Sequence, residues 1–348
     1  MYNAEKYIGA LLESILNQTF PNFEVIVVDD CSTDNSVAIV ESYAEKFGGR
    51  LKLSHMKKNS GGPGAPTNKG IAHSCGKYIW AVDNDDLLTN NALEFLYNMA
   101  EQFNTDVVYM DSIFICKSED PNDPLPNSEK LMPAFGKVVE PVFDPEDVRA
   151  RIKLYCSRTS VTGWRRFVRR EFLIENEIIF PENLKASQDI IWTIELIFYA
   201  NRHLRISEPL YIWRRGHNSI TGIKRSPVDS VKYWGDLLAK NVEQLCKFFK
   251  AQKFFQENPQ YGWLLLDWLE RRYSKRFNGT FLSLPAYKIQ KILEELFVEE
   301  FGEHGEVISA LCASVYTGRY REKKYLDEIK NLKNRIAELE NQLAESTN

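Results

Sequence analysis

The sequence predicts an α/β fold, a mostly parallel sheet with helices on both faces, continued by a helical domain and a short C-terminal coiled coil. Three observations carry that prediction. Short β-branched runs alternate with segments of helical spacing over about the first 115 residues. Two of the buried runs stop abruptly at carboxylates, one at Asp29 and Asp30 and one at Asp83, Asp85 and Asp86. Beyond Ile223 strand and turn signals cease, and the tail places Tyr325, Ile329, Leu332, Ile336, Leu339 and Leu343 at alternating spacings of four and three.

In chain order, Asn3 is the expected N-cap of a helix whose apolar positions are Ile8, Leu11, Leu12, Ile15 and Leu16. The run FEVIVV, residues 23–28, reads as a buried strand ending at Asp29 and Asp30, with Ser32 and Asp34 placed to cap a helix over 37–47. A short strand over 51–55 is followed by the loop NSGGPGAP, residues 59–66, and a helix near 68–74. Tyr78 to Val82 form the next strand, buried on both faces, and it stops at Asp83. A helix over 90–102 and a strand over 107–110 complete the alternation. Pro, Asp and Ser rise over 117–147, the composition of a long surface excursion that faces substrate.

The chain has 348 residues, 44% of them hydrophobic and 12% aromatic, enough for a large core and more than one domain. We divide it at 1–222, 223–320 and 321–348. A net charge of −4 provides no basic face for nucleic acid. The 6 cysteines are scattered with no CxxC pair and read as reduced intracellular thiols. No run of about 18 apolar residues occurs, the nearest being broken by Asp189 and Glu195. These features predict a cytoplasmic protein, with peripheral contact at the inner face of the cell membrane as the closest approach to lipid.

The acids after Tyr78–Val82 admit two readings. Carboxylates at the C-terminal end of a core strand suit a divalent cation holding a diphosphate, because ligands bind at that edge of an open α/β sheet. They equally suit an acidic turn capping the next helix. A calcium loop of the EF-hand kind is excluded, since Leu88 falls where its glycine is required.

The opening YNAEKYI, the segment VVDDCSTD, the strand-end acids at Asp83 to Asp86, and Gln188-Asp189 ahead of EPLYIWRRGHNS together resemble the family 2 glycosyltransferases of the GT-A fold. The resemblance covers residues 1–222. It implies a metal-dependent inverting transferase that moves a sugar from a nucleotide-diphosphate sugar, a UDP-sugar, to a hydroxyl of a glycan, lipid-linked or polymer acceptor in cell-surface polysaccharide synthesis. Tyr2, Asp29, Asp30, Asn68, Asp83, Arg214 and Arg215 would then contact the donor. Asp85 and His217 would ligate Mg²⁺ or Mn²⁺, and Asp189 would be the base that takes the acceptor's proton. Gln188 stands where the family has Glu. The basic run Arg165, Arg166, Arg169 and Arg170 matches a family segment too, though at helical spacing it reads as a solvated face.

Two rival functions have sequence grounds. A nucleotidyltransferase shares the layout and the metal acids but opens with a Gly-rich loop that this chain lacks. A catalytically impaired sugar-nucleotide-binding or scaffold protein on the same fold is favoured by the chain starting at the turn where the family has already completed a buried strand. Because a first strand is central in a doubly wound sheet, we expect Met1 to be internal, preceded by about ten residues rich in Val and Ile. The heptads of the tail predict a homo-oligomer.

Overall fold

The structure, a computed structural model, describes residues 1–116, 140–158, 160–214, 223–277 and 286–302, together with Leu284 and Asn331. The coiled coil expected over 321–348 lies outside these apart from Asn331, as do Arg215, His217 and most of the 117–147 excursion. The chain divides into two compact units, Met1–Ile223 with Lys253–Leu265, and Lys224–Gln252 with Leu266–Asn348.

The first unit runs α1 (Ile8–Leu16), β1 (Val25–Asp29), α2 (Ser36–Ser42), β2 (Leu51–His55), α3 (Gly64–His73), β3 (Tyr78–Trp80), β4 (Leu87–Leu88), α4 (Ala92–Gln102), β5 (Val107–Met110) and β6 (Phe114–Cys116). It continues with β7 (Val142–Phe143), α5 (Val148–Arg158), a 3₁₀ turn at Gly163–Arg165, β8 (Arg166–Arg169), α6 (Arg170–Glu175), α7 (Asp189–Tyr199), β9 (His203–Ile206), β10 (Tyr211–Arg214) and, after the first helix of the other unit, α9 (Lys253–Glu257).

The described strands form three sheets, β1-β2, β4-β10-β6 and β3-β8-β5-β9-β7, and the last two are mixed, where the sequence predicts one mostly parallel sheet. β1 and β2 pair in parallel, as do β5 with β9 and β10 with β6. β8 enters between β3 and β5 and runs antiparallel to both, pairing Trp80 with Phe167 and Val108 with Phe167. The reversal comes from Arg166–Arg169, which the spacing of its arginines reads as a helix face. It is a strand instead, and Arg165 and Arg166 are buried. Arg166 donates to the carbonyls of Thr162 and Ser160 and to the Tyr155 hydroxyl, so both terminal nitrogens of a buried guanidinium meet fixed acceptors.

α1 presents Ile8, Leu11, Leu12 and Ile15 to the core, as its spacing predicts. Its cap differs. Tyr7 is the N-cap, without a side-chain bond, whereas Asn3 sits in the left-handed region with φ 47° and accepts from Thr33 N at 2.8 Å. Asn therefore ties the first turn to the loop after β1. α3 begins at Gly64, earlier than expected, because the Gly-Pro loop itself turns helical. α7 is buried almost all round, from Ile190 through Ile197, which marks it as the central helix of its layer.

The second unit holds α8 (Pro227–Ala251), the later part of α10 (Pro259–Phe277) and α11 (Ala286–Phe301). Ser226 caps α8, with Pro227 at its first position, where a missing N–H costs nothing. α8 packs closely on α11: a Cβ on Gly235 would lie 2.9 Å from Leu293 Cδ2. Asn241 Nδ2 donates to the Tyr273 hydroxyl at 3.1 Å, a buried bond between α8 and α10. Among the described residues no helix is long and apolar enough to cross a membrane.

Candidate active site

β3 stops at Trp80, and the chain turns back through the acids, with Asp86 N donating to Asp83 O at 3.3 Å. The turn delivers Leu87–Leu88 to β10 as β4. Asp86 is buried and points into β10: Tyr211 OH donates to its Oδ2 at 2.6 Å and Arg214 N to its Oδ1 at 2.8 Å. Burial, then the charges of Asp83 and Asp85, push the Asp86 carboxyl well above the usual range, against the pull of those two donors. Tyr211 also accepts from Asp83 N at 3.2 Å, so one hydroxyl holds both ends of the turn.

Asp83 keeps accessible surface, yet the protein packed around its carboxyl lowers its hydration. That loss of water comes first, and the charges of Asp85 and Asp189 follow, pushing its carboxyl up to about 7. The ligand oxygens of Asp83, Asp85 and Asp86 all lie within 4.8 Å of one another. Such a cluster of hard, mutually repelling oxygen donors fits Mg²⁺ or Mn²⁺.

Asp189, the first residue of α7, belongs to the same place. Its charge reaches Asp83, and its Cβ lies 3.8 Å from where a Cβ on Gly163 would be. The next residue, Trp164, accepts from Trp80 Nε1 at 2.7 Å through its carbonyl and stacks on Tyr211 with ring centres 4.3 Å apart. Thus the end of β3, the 3₁₀ turn at Gly163–Arg165, β10 and α7 converge on one group of acids. Gln188 N-caps α7 without a side-chain bond, and its buried Oε1 has no hydrogen-bond partner among the described residues.

A second cluster lies at the end of β1. Asp29 accepts from Ser32 N at 3.2 Å, and His55 Nδ1 is 3.5 Å from its other oxygen. Asp30 accepts from Ser60 N at 2.9 Å and Ser60 Oγ at 2.8 Å, which fastens the Gly-rich loop to β1. Met1 makes the two bonds of a parallel bridge to Asp29, its ammonium donating to Val28 O at 2.7 Å and its carbonyl accepting from Asp30 N at 2.8 Å. Tyr2 is 52% exposed beside them, free to meet a planar ligand. Charge interactions between Met1 and Asp29, Asp30 and Asp83 tie this cluster to the first.

Asn68 is committed elsewhere. It exchanges two hydrogen bonds with the backbone of Phe180, at 2.8 and 2.9 Å, and reaches Glu182 as well. Its observed work is to brace the loop before Asp189. Arg214 is buried beside the acids, its guanidinium carbon 5.8 Å from the Tyr7 ring centre. Sequence reasoning passed over Tyr211. The alternation in YIWR marks a strand, but nothing local shows that its hydroxyl reaches an acid so far back in the chain.

The profile described as "Glycosyl transferase family 2" matches residues 1–175. The chain belongs to glycosyl transferase family 2. Within the family it is 33% identical over 216 residues, 61% of its length, to the poly(ribitol-phosphate) beta-N-acetylglucosaminyltransferase TarS of Staphylococcus aureus, covering 34% of that protein. It is 31% identical over 204 residues, 58% of its length, to a poly(ribitol-phosphate) beta-glucosyltransferase of Bacillus spizizenii, covering 29% of that protein. The chain thus spans about a third of the length of these curated relatives. Among solved structures, S. aureus TarS 1–349 in complex with UDP-GlcNAc superposes with a TM-score of 0.65 at 24% identity, over 93% of this chain and 90% of that one. The same fragment with UDP gives 0.62 at 23% identity, over the same shares. The fold of this family 2 chain is therefore GT-A-like, with mixed sheets.

Proposed function

We propose that the chain is a metal-dependent inverting glycosyltransferase that moves a sugar from a UDP-sugar to a hydroxyl of a cell-surface polymer. The observation that carries this reading is the convergence of Asp189 with the acids Asp83 and Asp85. A transferase needs a place for the leaving diphosphate next to a base for the incoming hydroxyl, and this edge supplies both. The named relatives act on poly(ribitol phosphate), which supports an acceptor of that chemical kind. Their β products are what a single displacement on an α-linked donor yields.

In this reading Asp30 accepts from the imide N–H of the donor base, Asp29 supports the turn beneath it, and Tyr2 lies against the ring. Asp85 and Asp83 would hold the cation, oriented by Asp86 through Tyr211 and Arg214, and the bound ion supplies charge neutralisation for the departing diphosphate. Arg215 and His217 follow β10 in sequence and are assigned to the diphosphate and metal by the family motif. Asp189, in the first turn of α7, removes the acceptor proton as the hydroxyl attacks the anomeric carbon.

Two variants test this. Asp85→Ala should abolish transfer and metal-dependent UDP binding while the fold persists, because it removes no core volume. Asp189→Asn should lower turnover by about 10²- to 10⁴-fold and leave donor affinity unchanged. Transfer by Asp85→Ala at the wild-type rate, or a product that keeps the donor's anomeric configuration, rules the reading out.

A further inference from the structure

The Gly-rich loop joins the two clusters. Ser60 hangs from both carboxylate oxygens of Asp30, and its hydroxyl also lies 2.6 Å from Gly62 O. From there the loop runs against the segment that leads to Asp189, backbone on backbone. A Cβ on Gly62 would collide with the carbonyl oxygen of Leu184 and stand 3.2 Å from Lys185 Cα. A Cβ on Gly64 would collide with the carbonyl oxygen of Pro181 and stand 3.3 Å from Glu182 Cα. With no side chain at either joint to take up slack, a shift of one loop is a shift of the other.

The far loop is held just as closely. Leu184 and Ala186 are buried, Phe180 stacks on Trp192 with centres 4.4 Å apart, and Asn68 bonds both backbone atoms of Phe180. Ser187 has φ 63°, a left-handed conformation that a non-glycine residue keeps only when its surroundings impose it. Asp189 follows directly after Gln188.

We propose that Gly62 and Gly64 are positioning residues that transmit the occupancy of the donor-base pocket at Asp30 to Asp189. An N–H donor arriving at Asp30 joins Ser60 on the same two oxygens and redraws the geometry of the bonds that hold the loop. The loop over 60–64 resettles, and the glycine joints carry that movement into 181–189. The base is then placed for transfer when the donor is present. This inference rests on the reading of Asp30 as the donor-base acceptor and of Asp189 as the general base.

Hydrogen exchange on the full chain with Mn²⁺, with and without UDP, tests it, with UDP binding measured by calorimetry in the same samples. UDP should slow exchange of the amides over 182–189 in the wild type. In Gly62→Ala that protection should vanish and kcat fall by about 10- to 100-fold, with UDP affinity held within about fivefold. UDP that binds without changing exchange at 182–189 overturns the coupling alone, as does a folded Gly62→Ala chain with wild-type kcat. UDP that does not bind overturns the donor reading and the coupling with it. If Gly62→Ala fails to fold, the wild-type comparison decides by itself.

Discussion

Cys31 has φ 67°, where an L side chain crowds the neighbouring carbonyl, and its Sγ offers only a long bond of 3.5 Å to Met56 O in return. Cys31→Gly should therefore raise the unfolding free energy by up to about 1 kcal/mol, the strain relieved less the entropy that glycine adds to the unfolded chain. Cys31→Val, β-branched in the same conformation, should lower it by a similar amount. Urea denaturation of the three proteins checks the order, and a valine variant as stable as glycine would show that the turn is unstrained. Asp29 and Asp30 immediately precede this residue, and their double occurrence is legible from sequence as a strand-end acid pair. Which does what is not legible, because each role depends on donors brought from elsewhere: Ser32 for one, Ser60 for the other.

Along α7, burial pushes the Glu195 carboxyl from its ordinary 4.5 up to about 8. The native chain then keeps a proton that the unfolded chain releases, so stability falls as pH rises from 4.5 toward 8, by at most about 1.4 kcal/mol per unit. Glu195→Gln should remove that slope and be the more stable protein at pH 8, which melting curves between pH 5 and 8 will show; parallel curves would mean the carboxyl is ionised in the fold. In the helical unit, Gly235→Val pushes branched carbons toward Leu293 and Leu296 and should cost about 1–3 kcal/mol. Among the elements legible in sequence, α1 carries its apolar residues at helical spacing, and β1 and β5 are short continuous apolar runs of strand length, buried on both faces. β8 departs from the helical reading for a physical reason: its arginines take the positions a helix would expose, and partners from elsewhere in the chain make them tolerable inside, the carbonyls of Ser160 and Thr162 with the Tyr155 hydroxyl for Arg166, and Asp106 for Arg169. The acids at Asp83 to Asp86 were visible as a cluster, but the partner that separates Asp86 from the others, Tyr211, is legible only once β4 and β10 are paired.

At the scale of the molecule, the donor reading predicts that UDP with Mn²⁺ at about 100 times its Kd stabilises the native state by about 2.7 kcal/mol, read as a rise in Tm that chelator abolishes. We further expect the heptads after Lys323 to join copies of the chain, so that sedimentation of the full chain gives a dimer and deletion of 323–348 a monomer. A monomer in both would exclude self-association through the tail. The bond from Tyr211 to Asp86 spans 125 positions of sequence, and it also governs how the protein is made. On a ribosome adding about 5–20 residues per second, the acid turn emerges about 6–25 s before the hydroxyl that holds it. For most of that interval β3 lacks β8, β5 gains β9 only shortly before β10 appears, and Asp86 remains hydrated and charged. The acid cluster is thus assembled late in synthesis, and a nascent chain halted before β10 carries these carboxylates with nothing to gather them.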